Sequence, residues 1–195
     1  MELSFVWILP AVALVLGAAY FVLRKMSGPR PATPVSLRPG QQLPDFAALD
    51  EQGNQVGPAE LRGSAAVILF VRGNWCPFCS KQVENLTKYY KEIVDLGAKL
   101  IFITPKPLAT TRRVADIFDV QFEFWLDESL SITRSLGLLH SSGVPEDYRK
   151  DYGDDTVWPT ALVIDAEGVI RYANLSRFIF DRPNPQLLLN HLRKL

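Results

Sequence analysis

The sequence predicts a mixed α/β fold, with helices flanking a central β-sheet, preceded by an N-terminal transmembrane helix. Apolar runs of strand length alternate with stretches of helical period between residues 65 and 136, a hairpin signal and a last helix follow, and the chain begins with a long apolar run. The 195 residues suffice for one domain of ordinary size plus an appendage. We divide the chain into an anchor at residues 1–26, a Pro-rich linker at 27–40 and a folded domain at 41–195.

The anchor is predicted from nineteen consecutive uncharged positions, residues 5–23. A helix of about 20 apolar residues spans a bilayer core. A cleaved signal peptide is the alternative, but it expects basic residues before the apolar run, whereas Arg24 and Lys25 follow it. We therefore expect an uncleaved single-pass anchor. The positive-inside rule applied to Arg24, Lys25 and Arg30 would keep the following domain in the cytoplasm.

The elements of the folded domain follow from the periodicity of apolar residues. Four prolines and no apolar period make residues 27–40 a semi-extended spacer. Period-2 or continuous apolar runs predict strands at residues 65–71, 100–104, 122–126, 161–164 and 169–172. Helical stripes and capping residues predict helices at residues 79–96, 111–118, 129–136 and from Asn184-Pro185 to 195. Residues 140–156 form an irregular polar stretch.

The two cysteines of the chain, Cys76 and Cys79, lie in one Cys-Pro-Phe-Cys segment between a predicted buried strand and an amphipathic helix. At a helix N-terminus, unpaired N–H groups and the helix dipole favour a thiolate, so Cys76 is the predicted nucleophile. Pro77 suits the first helical position because its missing N–H is not needed there. Cys79, within the first turn, can reach back to form a Cys76–Cys79 disulfide, so it is the predicted resolving cysteine.

Two neighbours are predicted to support this pair. Trp75 would shield the sulfur, and Arg72 would add positive charge that favours the thiolate, unless it is a solvated or structural arginine. Alternatively, the two cysteines are reduced thiols with no chemical role, or they are half of the ligands of a zinc site. A closed zinc site needs four ligands, and neither His140 nor His191 stands at a zinc-finger spacing. We predict no metal and no cofactor.

Charge and the remaining polar residues argue against other functions. Lys plus Arg equals Asp plus Glu, at 21 each, and no dense basic run occurs, so nucleic-acid binding is not expected. His140 is interpreted as a loop histidine. The acidic residues Asp151, Asp154 and Asp155 are interpreted as solvated, since they lack the regular spacing of a calcium loop.

Together these features resemble the thioredoxin-like superfamily, and within it the AhpC/TSA redoxin branch, which includes peroxiredoxin-like proteins. The resemblance covers residues 41–195: the opening Leu43-Pro-Asp-Phe46 with Asp50-Glu-Gln-Gly53, the redox segment at residues 72–79, and Trp158-Pro159-Thr160. It implies a thioredoxin-like central mixed sheet and a cis peptide bond before Pro159. It also implies that the Trp158 backbone lies beside the cysteines, free to pair with a substrate strand, and that the domain faces the outside of the membrane.

The sequence departs from this branch in two respects. Leu69 and Gly73 stand where typical peroxiredoxins have Pro and Thr before the reactive cysteine, which argues against strong peroxidase activity. Phe70 replaces the buried acid of thioredoxins.

Three functions therefore remain open. The first is a thiol–disulfide oxidoreductase acting on protein thiols or disulfides, the second a hydroperoxide-reducing antioxidant enzyme, and the third a non-catalytic metal or assembly module. For either enzyme we expect the electron donor to be a thioredoxin-like protein or a membrane carrier.

Overall fold

The computed structural model describes residues 5–27, 32–106, 123–176, 178 and 181–195. Its strands are β1 Ala48–Leu49, β2 Gln55–Val56, β3 Ala66–Phe70, β4 Lys99–Thr104, β5 Glu123–Leu126, β6 Leu139–His140, β7 Thr156–Val157, β8 Thr160–Ile164 and β9 Ile170–Leu175. Its α-helices are α1 Phe5–Ser27, α2 Pro77–Thr87, α3 Tyr90–Asp95, α4 Ser131–Ser135, α5 Arg149–Tyr152 and α6 Pro185–Leu192. Short 3₁₀ helices occupy Val35–Leu37, Pro58–Leu61 and Glu146–Tyr148.

A mixed sheet forms the centre of the fold. Within the described residues it has seven strands in the order β2-β1-β5-β4-β3-β8-β9. β3 is parallel to β4, and β4 to β5, whereas β8 is antiparallel to β3 and β9 to β8. The predicted central mixed sheet with flanking helices is therefore confirmed.

Strand β3 is buried on both faces because successive side chains point into opposite core layers. Ile68 and Phe70 pack in one layer and Val67 and Leu69 in the other, and all four are at most 1% exposed. The second layer also contains both cysteines. The strand that leads to the Cys-Pro-Phe-Cys segment is thus held from both sides.

The helix predicted over residues 79–96 is wrong as a single element, because the structure breaks it into α2 and α3. Thr87, the last residue of α2, donates its hydroxyl to the Val83 carbonyl at 3.0 Å, and Tyr89 leaves the helical region at φ −112°, ψ 5°. Side chains that bond back to the preceding turn in this way weaken a helix. The break turns the second segment so that Ile93 is fully buried.

The region predicted as irregular, residues 140–156, contains a two-stranded ribbon. β6 pairs with β7 through Leu139↔Val157 and His140↔Thr156, and α5 lies between the two strands. His140 is the second residue of β6 and is 7% exposed, so its interpretation as a loop histidine is wrong. Strands of two residues are too short to show an apolar period, which is why the pattern did not indicate them.

Other predicted elements are confirmed with small shifts of their ends. The hairpin appears as β8 and β9, with Gly168 at φ +82° in its turn. The last helix, α6, begins as expected, since the Asn184 side chain accepts a hydrogen bond from the Gln186 N–H and Pro185 is its first residue. The helix predicted at residues 111–118 lies outside the described residues.

The N-terminal region differs from the predicted division. Leu37, inside the predicted linker, is fully buried and packs in the first core layer. Packed structure therefore extends N-terminal to residue 41. Among the described residues, no helix has both the length and the hydropathy needed to cross a membrane.

A buried carboxylate holds the turn between β5 and α4. Asp127 is 3% exposed and accepts the Ile132 N–H at 3.0 Å and the Thr133 N–H at 2.8 Å.

We expect Asp127→Ala to lower the free energy of unfolding by about 2–4 kcal/mol, because two buried N–H groups lose a charged acceptor. Denaturant unfolding measures this. Glu128→Ala, at the exposed neighbouring position, is the control, and equal stabilities of the two variants would contradict the prediction.

Candidate active site

The loop after β3 places Cys76 at the N-terminus of α2. The sheet pairing continues to Val71, whose N–H donates to Ile103 at 2.9 Å, and the chain then turns through Gly73 at φ +120°. A Cβ at Gly73 would lie 2.7 Å from the Tyr152 ring, so both the backbone angle and the space require glycine. Cys76 is extended at φ −94°, ψ 104° and is the N-cap residue, and Pro77 is the first helical residue, as predicted.

The structure brings the two predicted cysteines together. The Cys79 thiol donates to the Cys76 sulfur at 2.9 Å, and the Cys79 N–H donates to the Cys76 carbonyl at 3.0 Å. Both are free thiols and each is only 1% exposed. The short distance would let the two sulfurs form a disulfide when a substrate oxidises them, but little of either residue is open to solvent.

The surroundings of Cys76 favour its thiolate. The hydrogen bond from the Cys79 thiol is the largest cause that lowers the pKa of Cys76, to about 6. Burial opposes this shift, while the Cys79 backbone N–H and the charges of Arg72 and Arg182 reinforce it. At neutral pH Cys76 is therefore mostly a thiolate, which is the reactive form of a cysteine.

Cys79 has the opposite behaviour. Burial is the largest cause that raises the pKa of the Cys79 thiol well above its usual range, and the neighbouring Cys76 adds to the increase. Cys79 thus stays protonated while Cys76 is ionised. The pair therefore consists of one thiolate and one protonated thiol, and the roles of Cys76 as nucleophile and Cys79 as resolving cysteine stay predictions.

Arg72 is a buried member of the site and not a solvated arginine. It is 3% exposed, its guanidinium lies 4.4 Å from the centre of the Trp75 ring, and it donates to the Gly143 carbonyl. Burial lowers the pKa of Arg72, while the charges of Cys76 and Cys79 raise it. Its cation therefore compensates the buried thiolate.

Arg182 also belongs to the site, and sequence reasoning missed it. Its Nη2 lies 3.7 Å from the Cys79 sulfur, while Nη1 donates to the Asp181 carbonyl at 2.8 Å and the Ser176 hydroxyl at 3.1 Å. Arg182 is more than 100 residues from the cysteines, in an Asp-Arg-Pro stretch that shows no period. Nothing in the sequence pattern distinguishes it from a surface arginine.

Trp75 packs against the core layer that contains both cysteines, and its shielding of the sulfur stays a prediction. The sequence did not indicate its other partners. Trp75 is half-buried, stacks on Tyr148 with ring centres 6.0 Å apart, and meets the Tyr152 ring edge-on at 6.3 Å. Both tyrosines come from residues 140–156. The segment that was expected to be irregular therefore covers part of residues 72–75, called here the redox loop.

The expectation for Trp158 and Pro159 is wrong in part. The register places them at the correct end of the sheet, since Phe70 pairs with Thr160. However, no peptide bond among the described residues is cis, so the bond before Pro159 has the trans form that is intrinsically preferred. The Trp158 N–H also donates to the Leu138 carbonyl at 2.7 Å, and its carbonyl accepts from the Thr160 hydroxyl, so the backbone is not free for a substrate strand.

His140 is a neutral member of the same region. Its ring stacks on Trp158 with centres 4.0 Å apart. Burial, followed by the nearby charge of Arg72, lowers the pKa of His140 to about 4, although Asp155 opposes the shift. The imidazole is therefore uncharged at neutral pH and does not compete with Arg72 as a cation.

No zinc site accompanies the pair in the described part of the chain. There, no three His, Cys, Asp or Glu side chains form a group that could hold a metal ion.

The fold and the site define the chain as a thioredoxin-like protein with a buried pair of thiols. Residues 39–173 match the AhpC/TSA family, and the chain belongs to this family. It is similar to the thiol-disulfide oxidoreductase ResA of Halalkalibacterium halodurans, with 26% identity over 102 residues, which are 52% of this chain and 57% of ResA. It is also similar to the chloroplastic peroxiredoxin Q of Triticum aestivum, with 25% identity over 139 residues, 71% of this chain and 59% of that protein.

These alignments span less than two thirds of the length of either relative. Among solved structures, peroxidoxin BcpB from Mycobacterium tuberculosis has a similar fold, with a TM-score of 0.64, 18% identity and coverage of 82% of this chain and 98% of BcpB. AhpC of Enterococcus faecalis gives a TM-score of 0.63 at 12% identity, covering 80% of this chain and 90% of AhpC. At these identities the structures establish the fold.

The hydrogen bond between the thiols predicts how the reactivity of Cys76 depends on pH. Alkylation of Cys76 by iodoacetamide should rise as the pH passes through about 6 and then level off, since only the thiolate reacts. Cys79→Ala should move this midpoint upward because the donor is lost, whereas Cys79→Ser keeps a hydroxyl donor and should move it less. Mass spectrometry of the Cys76 peptide gives the rates. A midpoint near 8.5, the value of an ordinary cysteine, in the unmodified protein would contradict the assignment.

Proposed function

We propose that this chain is a thiol–disulfide oxidoreductase in which Cys76 attacks and Cys79 resolves. The observation that carries the proposal is the buried Cys76–Cys79 pair, in which the Cys79 thiol donates to Cys76 and the pKa of Cys76 falls to about 6. The similarity to ResA supports a disulfide as the substrate. Protein disulfides are the class that we favour.

The chemistry of the proposal needs no group beyond the pair and a substrate disulfide. The Cys76 thiolate attacks one substrate sulfur, a mixed disulfide forms, and the first substrate sulfur leaves as a thiolate. Cys79 then gives its proton to the first substrate thiolate, and the Cys79 thiolate attacks the Cys76 sulfur and releases the second substrate sulfur as a thiolate. The substrate gains two electrons and the Cys76–Cys79 pair becomes a disulfide, which a thioredoxin-like protein or a membrane electron carrier would reduce again.

A second candidate is reduction of hydroperoxides, favoured by the family and by the likeness to peroxiredoxin Q. The Cys76 thiolate would attack one peroxide oxygen and release an alcohol, leaving a sulfenic acid that Cys79 converts to the disulfide with loss of water. One observation makes this the weaker candidate. At Gly73, where typical peroxiredoxins have Thr, the Tyr152 ring occupies the space of a side chain.

Two parallel assays on the full chain test these proposals. If Cys76 attacks disulfides, insulin reduction should be lost in Cys76→Ser, while Cys79→Ser should accumulate a mixed disulfide, since the resolving step is missing. Consumption of hydrogen peroxide and of an organic hydroperoxide is measured on the same samples. Lys81→Ala, on the exposed face of α2, is the control and should retain activity. Insulin reduction that persists in Cys76→Ser would overturn the first proposal, and fast peroxide consumption with no disulfide reduction would favour the second.

We further propose that residues 1–26 attach the domain to a membrane. The support is the uncharged run at residues 5–23 together with the exposed apolar side chains of α1, of which Leu9, Leu14 and Phe21 are 71%, 75% and 67% exposed. Exposed apolar surface of this kind is typical of membrane or protein contact sites. The basic residues that follow favour a cytoplasmic domain, and the family resemblance favours an outer one.

Membrane attachment can be measured directly in cells that express the chain. We expect the full chain to stay in the membrane pellet after carbonate extraction, because a buried apolar helix is not released by breaking ionic contacts. A chain starting at residue 32 should be found in the supernatant. Labelling of Cys76 in intact vesicles with an impermeant thiol reagent then assigns the side. A full chain that carbonate releases completely would contradict the proposal.

A further inference from the structure

One segment beside the redox pair has no role in the chemistry described above. Residues 141–155, called here the cover loop, leave the ribbon after β6 and return to it at β7. The ends of the loop meet, since the Val144 N–H donates to the Asp154 carbonyl at 3.0 Å and the Ser142 N–H to the Asp155 carboxylate at 3.0 Å. It is therefore a compact loop with closely spaced ends, a type that is frequently functional.

The inner side of the cover loop packs on the loop that carries Cys76. Tyr148 and Tyr152 contact the Trp75 ring, and the Tyr152 hydroxyl donates to the Asn74 side chain. Tyr152 also lies directly on the backbone of Gly73.

At the start of the cover loop, the Gly143 carbonyl accepts a hydrogen bond from Arg72, the cation that compensates the thiolate. Four consecutive residues of the redox loop, 72–75, thus touch the cover loop.

The cover loop itself has almost no core. Val144, at 1% exposed, is the one buried residue of the cover loop, whereas neither the 3₁₀ helix Glu146–Tyr148 nor α5 contains any, and Tyr148 is 42% exposed. Segments with few buried apolar contacts open at a low free-energy cost. Two residues with positive φ, Ser142 at 53° and Gly153 at 72°, lie near its two ends, where a change of backbone angle would move the segment as a unit.

The thiols need such an opening. Both sulfurs belong to residues that are 1% exposed, whereas attack on a disulfide requires the Cys76 sulfur to approach the substrate sulfur directly. A polypeptide disulfide is too bulky to enter a closed site of this kind. Movement of the cover loop would take Tyr148 and Tyr152 away from Trp75 and so expose the side of the Trp75 ring that they now contact.

We propose that the cover loop is a lid, held closed by the Tyr152–Asn74 and Arg72–Gly143 contacts, that must open before a protein disulfide reaches Cys76. This inference rests on the proposed function and specifies how its substrate gains access. When open, the lid exposes the aromatic faces of Trp75 and Tyr148, which can pack against an extended substrate segment. When closed, the lid protects the Cys76 thiolate from oxidants other than the substrate.

The test measures access to Cys76 without requiring turnover. In a Cys79→Ser background, Cys76 is labelled with a polyethylene-glycol maleimide. Tyr152→Phe removes one latching hydroxyl and keeps the ring, so labelling should become roughly two- to tenfold faster, the effect of losing one hydrogen bond from the closed state. Asn74→Ala should give the same increase in labelling rate. A variant with both Tyr152→Phe and Asn74→Ala should label no faster than either single variant, since each change removes the same Tyr152–Asn74 hydrogen bond.

Tyr172→Phe is the matched control, because it removes a tyrosine hydroxyl on β9, where the Tyr172 ring lies against His191 with ring centres 4.4 Å apart. Its labelling rate should equal that of the background. Hydrogen exchange gives an independent measurement: the amides of Val144 and Gly153 should exchange faster in Tyr152→Phe, while those of β3 should not change.

The outcomes separate the lid from the proposed activity. Equal labelling in Tyr152→Phe and Tyr172→Phe, with unchanged exchange at Val144 and Gly153, would overturn the lid even if the chain reduces disulfides. Faster labelling in a chain that reduces no disulfide would support the lid and remove the proposed function.

Discussion

The rest of the site depends on stabilising the Cys76 thiolate in the interior of the protein. Burial alone would raise the pKa of Cys76, because a charge loses its hydration there. The structure offsets this cost with the Cys79 thiol, which donates to Cys76, and with two nearby guanidinium groups, those of Arg72 and Arg182. Burial also keeps the Cys79 thiol protonated, so a single environment holds an ionised sulfur beside the thiol that donates a hydrogen bond to it.

Glycine at position 73 connects this electrostatic arrangement to the shape of the site. With no side chain there, the Tyr152 ring packs on the backbone, and Trp75 contacts both that ring and the Arg72 guanidinium. A threonine at the same position would displace Tyr152. The departure from the peroxiredoxin pattern thus goes together with an aromatic cover formed by Trp75, Tyr148 and Tyr152.

Much of this could be predicted from sequence because it is local. A run of five buried residues in β3, the Cys-Pro-Phe-Cys spacing and the Asn184-Pro185 cap each carry their signal within a few positions. The break between α2 and α3, the ribbon β6–β7 and the contact of Arg182 with Cys79 could not be found in this way. The break is local, but the Thr87 hydroxyl that bonds back to Val83 does not interrupt the apolar period of the predicted helix. The ribbon depends on two-residue strands and the Arg182 contact spans more than 70 positions, and periodicity provides no information on either. The backbone of Trp158 was misjudged for the same reason, since its partner Leu138 belongs to a strand end that the pattern did not show.

Cys76 has to be buried to keep its fixed surroundings, but it has to be accessible to react. Two different parts of the chain meet these two requirements. The rigid part is β3 with α2, which fixes the sulfur and its hydrogen bond within a core layer. The other part is the cover loop, which buries little of its own surface and is held to the redox loop by a few polar and aromatic contacts. A core residue cannot move without loss of packing, whereas a loop of this kind can. In the lid that we propose, access to the thiolate is controlled where movement costs least, while the hydrogen bond from Cys79 to Cys76 lies in the packed part of the fold.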